Sequence, residues 1–179
     1  MKAKIKILAI SGSLRASSSN TAILRAITGV APENIEIKLY EGLGELPHFN
    51  PDIDDDNNLP ATVKDLRREL NDADGVMICT PEYAHNIPGS LKNLLDWNVS
   101  TCLLSNKPVA VIATGEYACA ALLETLRLIE AKTGESTTLF LPYSQSRVGA
   151  DGHIKDTQAL QTLKSLLDAF VQAINNKVF

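Results

Sequence analysis

The sequence predicts an α/β fold: a doubly wound, five-stranded parallel sheet with helices on both faces. Three observations predict it. Segments of strand character and segments of helical periodicity alternate five times along the chain. Two of the apolar runs, Gly75 to Thr80 and Pro108 to Thr114, are almost uninterrupted, as strands covered on both faces must be. A chain of 179 residues leaves no room for a second mononucleotide-binding half, which favours the strand order 2-1-3-4-5 of flavodoxin-like sheets.

Lys4 to Ile10 is a short β-rich run stopped by Ser11-Gly12-Ser13, and Ile23, Leu24, Ile27 and Val30 follow at helical spacing. Ile35 to Tyr40 alternates apolar and charged residues, as a strand near a sheet edge does. Glu41 to Asn58 reads as a long polar loop. Pro60 stands where a first helical turn tolerates it, and Val63, Leu66, Leu70 and Ala73 continue one helix face. Gly75 to Thr80 is the third strand, stopped by Pro81. After a loop to Ile87, Pro88 opens a helix carrying Leu91, Leu94, Leu95 and Trp97. Pro108 to Thr114 is the fourth strand, and Leu122, Leu123, Leu126 and Ile129 form the next helical face. Thr137 to Leu141 is a fifth, shorter strand. Leu160, Leu163, Leu167, Phe170 and Ile174 mark the last helix.

One substantial core is affordable at this length, so residues 1–179 are expected to form a single domain. With 45% hydrophobic and 21% charged residues the chain is too apolar to be disordered. A net charge of −4 supplies no basic field, which argues against nucleic-acid or anionic-membrane partners and leaves small molecules. Lys6 interrupts the first apolar run before it reaches signal-peptide length, and nothing approaches the ~20 apolar residues of a membrane span. A cytoplasmic protein is expected. Cys79, Cys102 and Cys119 show no Cys-x-x-Cys pairing, so they read as reduced packing residues rather than a disulfide framework or zinc site. Asp52, Asp54, Asp55 and Asp56 lack the Gly and Glu that a calcium loop requires, and read as a solvated acidic loop. No metal site is expected.

In doubly wound sheets ligands bind beyond the carboxyl ends of the strands, at the point where strand order reverses, so chemistry is expected in the loops after the first, third and fourth strands. Ser11 to Asn20 places hydroxyls and one guanidinium, Arg15, between a strand and a helix N-terminus. Unpaired N–H groups and the positive end of the helix dipole favour an anion there, and a planar guanidinium suits phosphate. Ser17 stands where a Walker loop requires Gly, and no Gly-x-Gly-x-x-Gly occurs. The loop is a phosphate cradle of another kind.

Thr80 to Trp97 carries the most specific pattern. Gly12-Ser13-Leu14-Arg15-Ala16-Ser17-Ser18-Ser19-Asn20, together with Pro81-Glu82-Tyr83 and Pro88-Gly89-Ser90-Leu91-Lys92-Asn93-Leu94-Leu95-Asp96-Trp97, resembles the NADPH-dependent FMN reductase family over essentially the whole chain. The resemblance implies that Ser13, Arg15, Ser18 and Asn20 hold the FMN phosphate, with Ser11, Leu14 and Thr21 completing that loop. It implies that Pro81, Glu82 and Tyr83, and the backbone of Ala84, His85 and Asn86, lie along the isoalloxazine ring. Ala84 replaces the family's usual Asn and Asn86 its usual Ser, so side-chain bonds at those positions change while backbone N–H bonds to the ring's polar edge are expected to survive. Thr114, Gly115 and Glu116 would close the ring from the fourth strand, where the family has a more Gly-rich segment.

The implied activity is hydride transfer from NADPH or NADH to bound FMN and onward to a small acceptor: a quinone, azo compound, free flavin or metal oxyanion. The flavin carries that chemistry, so no side chain is assigned a catalytic role. A flavodoxin-type electron carrier without its own turnover is the alternative, although the strong acidity that guides such carriers to partners is missing. A phosphate-ligand binder without flavin would rest on the first loop alone. The resemblance also implies a homodimer or dimer of dimers, with Trp97 and the loop after it near the interface.

Overall fold

A computed structural model describes residues 4–55, 57–142, 154 and 156–176. Strands β1 (Ile5–Ser11), β2 (Ile35–Tyr40), β3 (Gly75–Thr80), β4 (Val109–Ala113) and β5 (Thr138–Phe140) alternate with helices α1 (Ser19–Val30), α2 (Ala61–Asp72), α3 (Gly89–Asp96), α4 (Glu116–Leu128) and α5 (Thr157–Asn176). All neighbouring strands pair in parallel, in the order β2-β1-β3-β4-β5. β3 and β4 are buried along their whole length, so their side chains can be apolar at every position.

The pleat of each strand sends alternate residues to two cores. Leu8, Ile10, Val76, Ile78, Val109 and Val111 join Val63, Leu66 and Leu70 of α2, Leu91, Leu94 and Leu95 of α3, and Leu122 and Leu126 of α4. Ile7, Ala9, Met77, Cys79, Ala110 and Ile112 face Ile23, Leu24 and Ile27 of α1 and Leu163, Leu167 and Phe170 of α5. The chain therefore leaves β1 toward one face and β3 toward the other. Their adjacent carboxyl ends, where Ser11 stands beside Cys79, open a crevice at the order reversal.

The structure departs from the sequence reading in several places. Pro60 and Pro88 sit one residue outside their helices, where their carbonyls accept from the amides of Lys64 and Lys92, both at 3.0 Å. The fifth strand loses Thr137 and Leu141 at its ends. The polar stretch from Glu41 to Asn58 contains two short 3-10 turns, Gly42–Glu45 and Pro51–Ile53, and buries Leu43 and Leu46 under the α2–α3 layer. Nor is its acidic part simply solvated. Asp54 is almost fully covered and pairs with Arg67 of α2 at 2.7 Å, while the Ser100 hydroxyl donates to its second oxygen at 2.7 Å.

Trp97, expected near an interface between copies, has no exposed surface at all. Its indole N–H donates to the carbonyl of Pro47 at 2.8 Å and Phe49 covers the ring edge-on, with centroids 5.1 Å apart. A buried indole needs one acceptor for its N–H, and this loop supplies it. The exposed apolar side chain beyond the helix is Val99. Among the cysteines, Cys79 is buried and Cys119 half-buried, but Cys102 is exposed at a left-handed turn position with φ 54°, so packing does not account for it.

Candidate cofactor site

The loop after β1 is organised by its own hydroxyls. Ser11 Oγ accepts from the Thr21 hydroxyl at 2.9 Å and from the Ser13 amide at 3.4 Å, and Ser13 Oγ accepts from the Arg15 amide at 3.3 Å. Ser18 caps α1, its hydroxyl accepting from the Thr21 amide at 3.4 Å while its carbonyl accepts from Ala22. These bonds leave the first two helical amides, Ser19 N–H and Asn20 N–H, without a partner among the described residues. They are the donors a bound anion would engage. Gly12 lets this loop press against β3, since a Cβ there would stand 2.8 Å from Thr80 Oγ1.

Asn20 is buried against β3, and its Oδ1 accepts from the Cys79 thiol at 3.3 Å. Complete burial pushes that thiol far above its usual range, so Cys79 remains protonated and serves as a donor rather than a nucleophile. Arg15 extends into solvent with no ion pair among the described residues, which leaves its guanidinium free for a ligand.

The loop after β3 is a two-residue hairpin. Tyr83 and Asn86 exchange amide-to-carbonyl bonds of 2.9 and 3.0 Å, and Ala84 and His85 between them have φ of 51° and 57°. Two successive left-handed residues define a type I′ turn, where Asn or Gly is favoured at the first position and Ala is not. This geometry narrows the expectation for the backbone donors. The amides of Tyr83 and Asn86 are consumed by the turn and that of Ile87 by Asn86 Oδ1, at 2.8 Å, so Glu82, Ala84 and His85 are the residues whose N–H groups lack partners among the described residues.

A groove of about 240 Å³ runs between these loops, lined by Ser13, Arg15, Ser18, Ser19 and Asn20 from the β1 side and by Pro81, Glu82, Tyr83 and Thr114 from the β3 and β4 side. Eight of the residues read from sequence thus converge, and Ser19, absent from that reading, joins them. Its signal was its place between the cap and Asn20 at the helix start. Ser11 and Thr21 stand behind the groove and shape the loop. Leu14 turns outward, 61% exposed, with a methyl 3.3 Å from where a Gly44 Cβ would lie. Ala84, His85, Asn86, Gly115 and Glu116 flank the groove without lining it. A larger hollow of about 630 Å³ lies against α4 and β5 at the sheet edge, but it offers no unpaired helix N-terminus and stands away from the order reversal.

One end of the groove therefore presents Arg15 and the first two α1 amides, and the other is walled by a proline, an exposed tyrosine and Glu82, whose N–H has no partner among the described residues. A phosphate joined to a flat, hydrogen-bonding ring fits both ends. The fold and groove together define a flavodoxin-like mononucleotide-binding protein. Residues 5–140 match the model of the family described as NADPH-dependent FMN reductase, and the chain belongs to that family. It is 30% identical to an NAD(P)H-dependent FMN reductase of Pseudomonas aeruginosa over 177 residues, covering 94% of this chain and 95% of the relative. A quinone reductase of Escherichia coli is 34% identical over 113 residues, a match that spans 62% of this chain and 60% of the relative's length. The solved structure of FerB, a flavoenzyme NAD(P)H:(acceptor) oxidoreductase from Paracoccus denitrificans, superposes with a TM-score of 0.80 at 27% identity, covering 96% of this chain and 98% of that one.

Proposed function

We propose that this chain is an FMN-dependent oxidoreductase that takes hydride from NADPH or NADH and delivers electrons to a small acceptor, with quinones the favoured class. The carrying observation is the groove itself, in which two unpaired α1 amides and Arg15 face the proline-stiffened hairpin across the sheet's reversal point. The names of the relatives, an FMN reductase and a quinone reductase among them, support the donor and acceptor classes.

In this reading Ser13, Arg15, Ser18 and the amides of Ser19 and Asn20 hold the phosphate, and Pro81, Tyr83 and Thr114 bound the ring. Bound FMN supplies the two-electron chemistry. The protein's contribution is position: Pro81 and Pro88 leave the intervening loop few conformations to lose when a flat ring docks. The Glu82, Ala84 and His85 amides present donors to the ring's polar edge. No helix among the described residues is long and apolar enough to cross a membrane.

The test is spectroscopic. Purified protein reconstituted with FMN should show flavin bands, and anaerobic stopped-flow mixing with NADPH should bleach them with no acceptor present. Bleaching that waits for a partner protein would replace the enzyme with an electron carrier. Assembly as a homodimer or dimer of dimers belongs to the same reading, and sedimentation at micromolar concentration checks it: a 19.4 kDa monomer with full activity would exclude a shared site.

A further inference from the structure

Glu82 lies in the hairpin loop, yet its carboxylate is engaged elsewhere. Its Oε2 accepts from the backbone N–H of Ala118, the third residue of α4, at 3.1 Å. α4 has Gly115 at its N-cap position and therefore no capping side chain of its own. An N-terminal turn without a cap leaves unpaired amides at the positive end of the helix dipole, and a carboxylate from another loop satisfies both needs.

The fit leaves no slack. A methyl group on Gly115 would overlap the Cβ and the carboxylate of Glu82, although the backbone there is extended and tolerates any residue. Glycine stands at 115 because Glu82 occupies the space of a side chain. Two further contacts cross the same gap: the Thr114 amide donates to the Thr80 carbonyl at 3.1 Å, and the rings of His85 and Tyr117 stack with centroids 4.3 Å apart and planes 17° from parallel.

We propose that Glu82 is a positioning residue, which by capping α4 from the β3 hairpin fixes the separation of the two loops that bound the ring end of the groove. The inference rests on the flavin reading above. It assigns the glutamate to the partner loop rather than to the flavin, so its loss should weaken ring binding whether or not a phosphate is attached.

The test uses the full chain with Glu82→Ala, Glu82→Gln and Gly115→Ala. Amide exchange of Ala118, followed by NMR without flavin, reads the cap; fluorescence titration with FMN and with riboflavin reads the groove. Glu82→Ala should accelerate Ala118 exchange and weaken both flavins alike, by about tenfold. Glu82→Gln keeps an acceptor oxygen and should restore most of both losses, which general damage or a direct charge effect on the ring would not permit. Gly115→Ala should reproduce the affinity loss of Glu82→Ala. Unchanged Ala118 exchange in Glu82→Ala, unchanged flavin affinity, or a Gln variant as weak as Ala would each overturn the proposal. Wild-type protein that binds neither flavin overturns the flavin reading and the ring-positioning claim with it, whereas Ala118 exchange still decides whether the cap exists.

Discussion

Arg15 and Ala84 show how single residues divide the work at the groove. Arg15 makes no ion pair among the described residues, so its charge is held ready rather than used for stability. Paired with a phosphate it should contribute roughly 1.5 to 3 kcal/mol through charge-assisted hydrogen bonds. Arg15→Ala is expected to weaken FMN about ten- to a hundredfold and leave riboflavin almost unchanged, as flavin fluorescence would record. That pattern is the opposite of the equal losses expected for Glu82→Ala. Ala84 instead carries strain. A non-glycine residue at φ 51° costs about 1 kcal/mol, and Asn tolerates that conformation better. Ala84→Asn should therefore stabilise the protein by about 0.5 to 1 kcal/mol, measured by urea unfolding, and its failure to do so would mean the hairpin is not a type I′ turn.

Among the elements, α2 is tied to its surroundings by one arginine. Arg67 Nη2 donates to Asp54 at 2.7 Å, to the Trp97 carbonyl at 2.6 Å and to Ser100 Oγ at 3.2 Å, so it joins the acidic loop, α2 and the end of α3. Its Nε is buried without a partner among the described residues, which makes the pair more a fastening of specific elements than a large net source of stability. Removing one partner strands a buried charge. Asp54→Ala or Arg67→Ala should each cost about 3 kcal/mol, and the double variant should lose clearly less than the sum. Additive losses in urea unfolding would show that the two side chains do not depend on each other.

The whole molecule should show an alkaline limit traceable to Tyr40, at the carboxyl end of the edge strand β2. Burial, aided by the nearby carboxylates Glu45, Asp65 and Glu69, pushes its phenol from 10.0 up to about 12. A folded-state value above the unfolded one means the contribution is complete below pH 10 and is lost as pH rises through about 12. Unfolding free energies should fall across that window, and Tyr40→Phe, which cannot ionise, should flatten the fall. An unaltered pH profile in the Phe variant would assign the alkaline loss to other groups.

Strand order, the two-faced covering of β3 and the place of the Ser11 to Asn20 loop between β1 and α1 were all legible in the sequence, because each follows from periodicity or from the chemistry of a few consecutive residues. Which polar side chains meet across the chain was not. Asp54 looked solvated until the fold brought Arg67 of α2 beside it, Trp97 looked available until Pro47 supplied an acceptor 50 residues away, and nothing local to Glu82 signalled that its carboxylate accepts from the Ala118 amide of α4, 36 residues on. The sequence by itself determined the architecture and the place of the groove, since alternating apolar runs admit few sheets and ligands gather where strand order reverses. Only the tertiary structure decided which donors and acceptors remain free to line that groove, because a hydrogen bond is directional and depends on elements packing to within about 3 Å, a distance that no local pattern encodes.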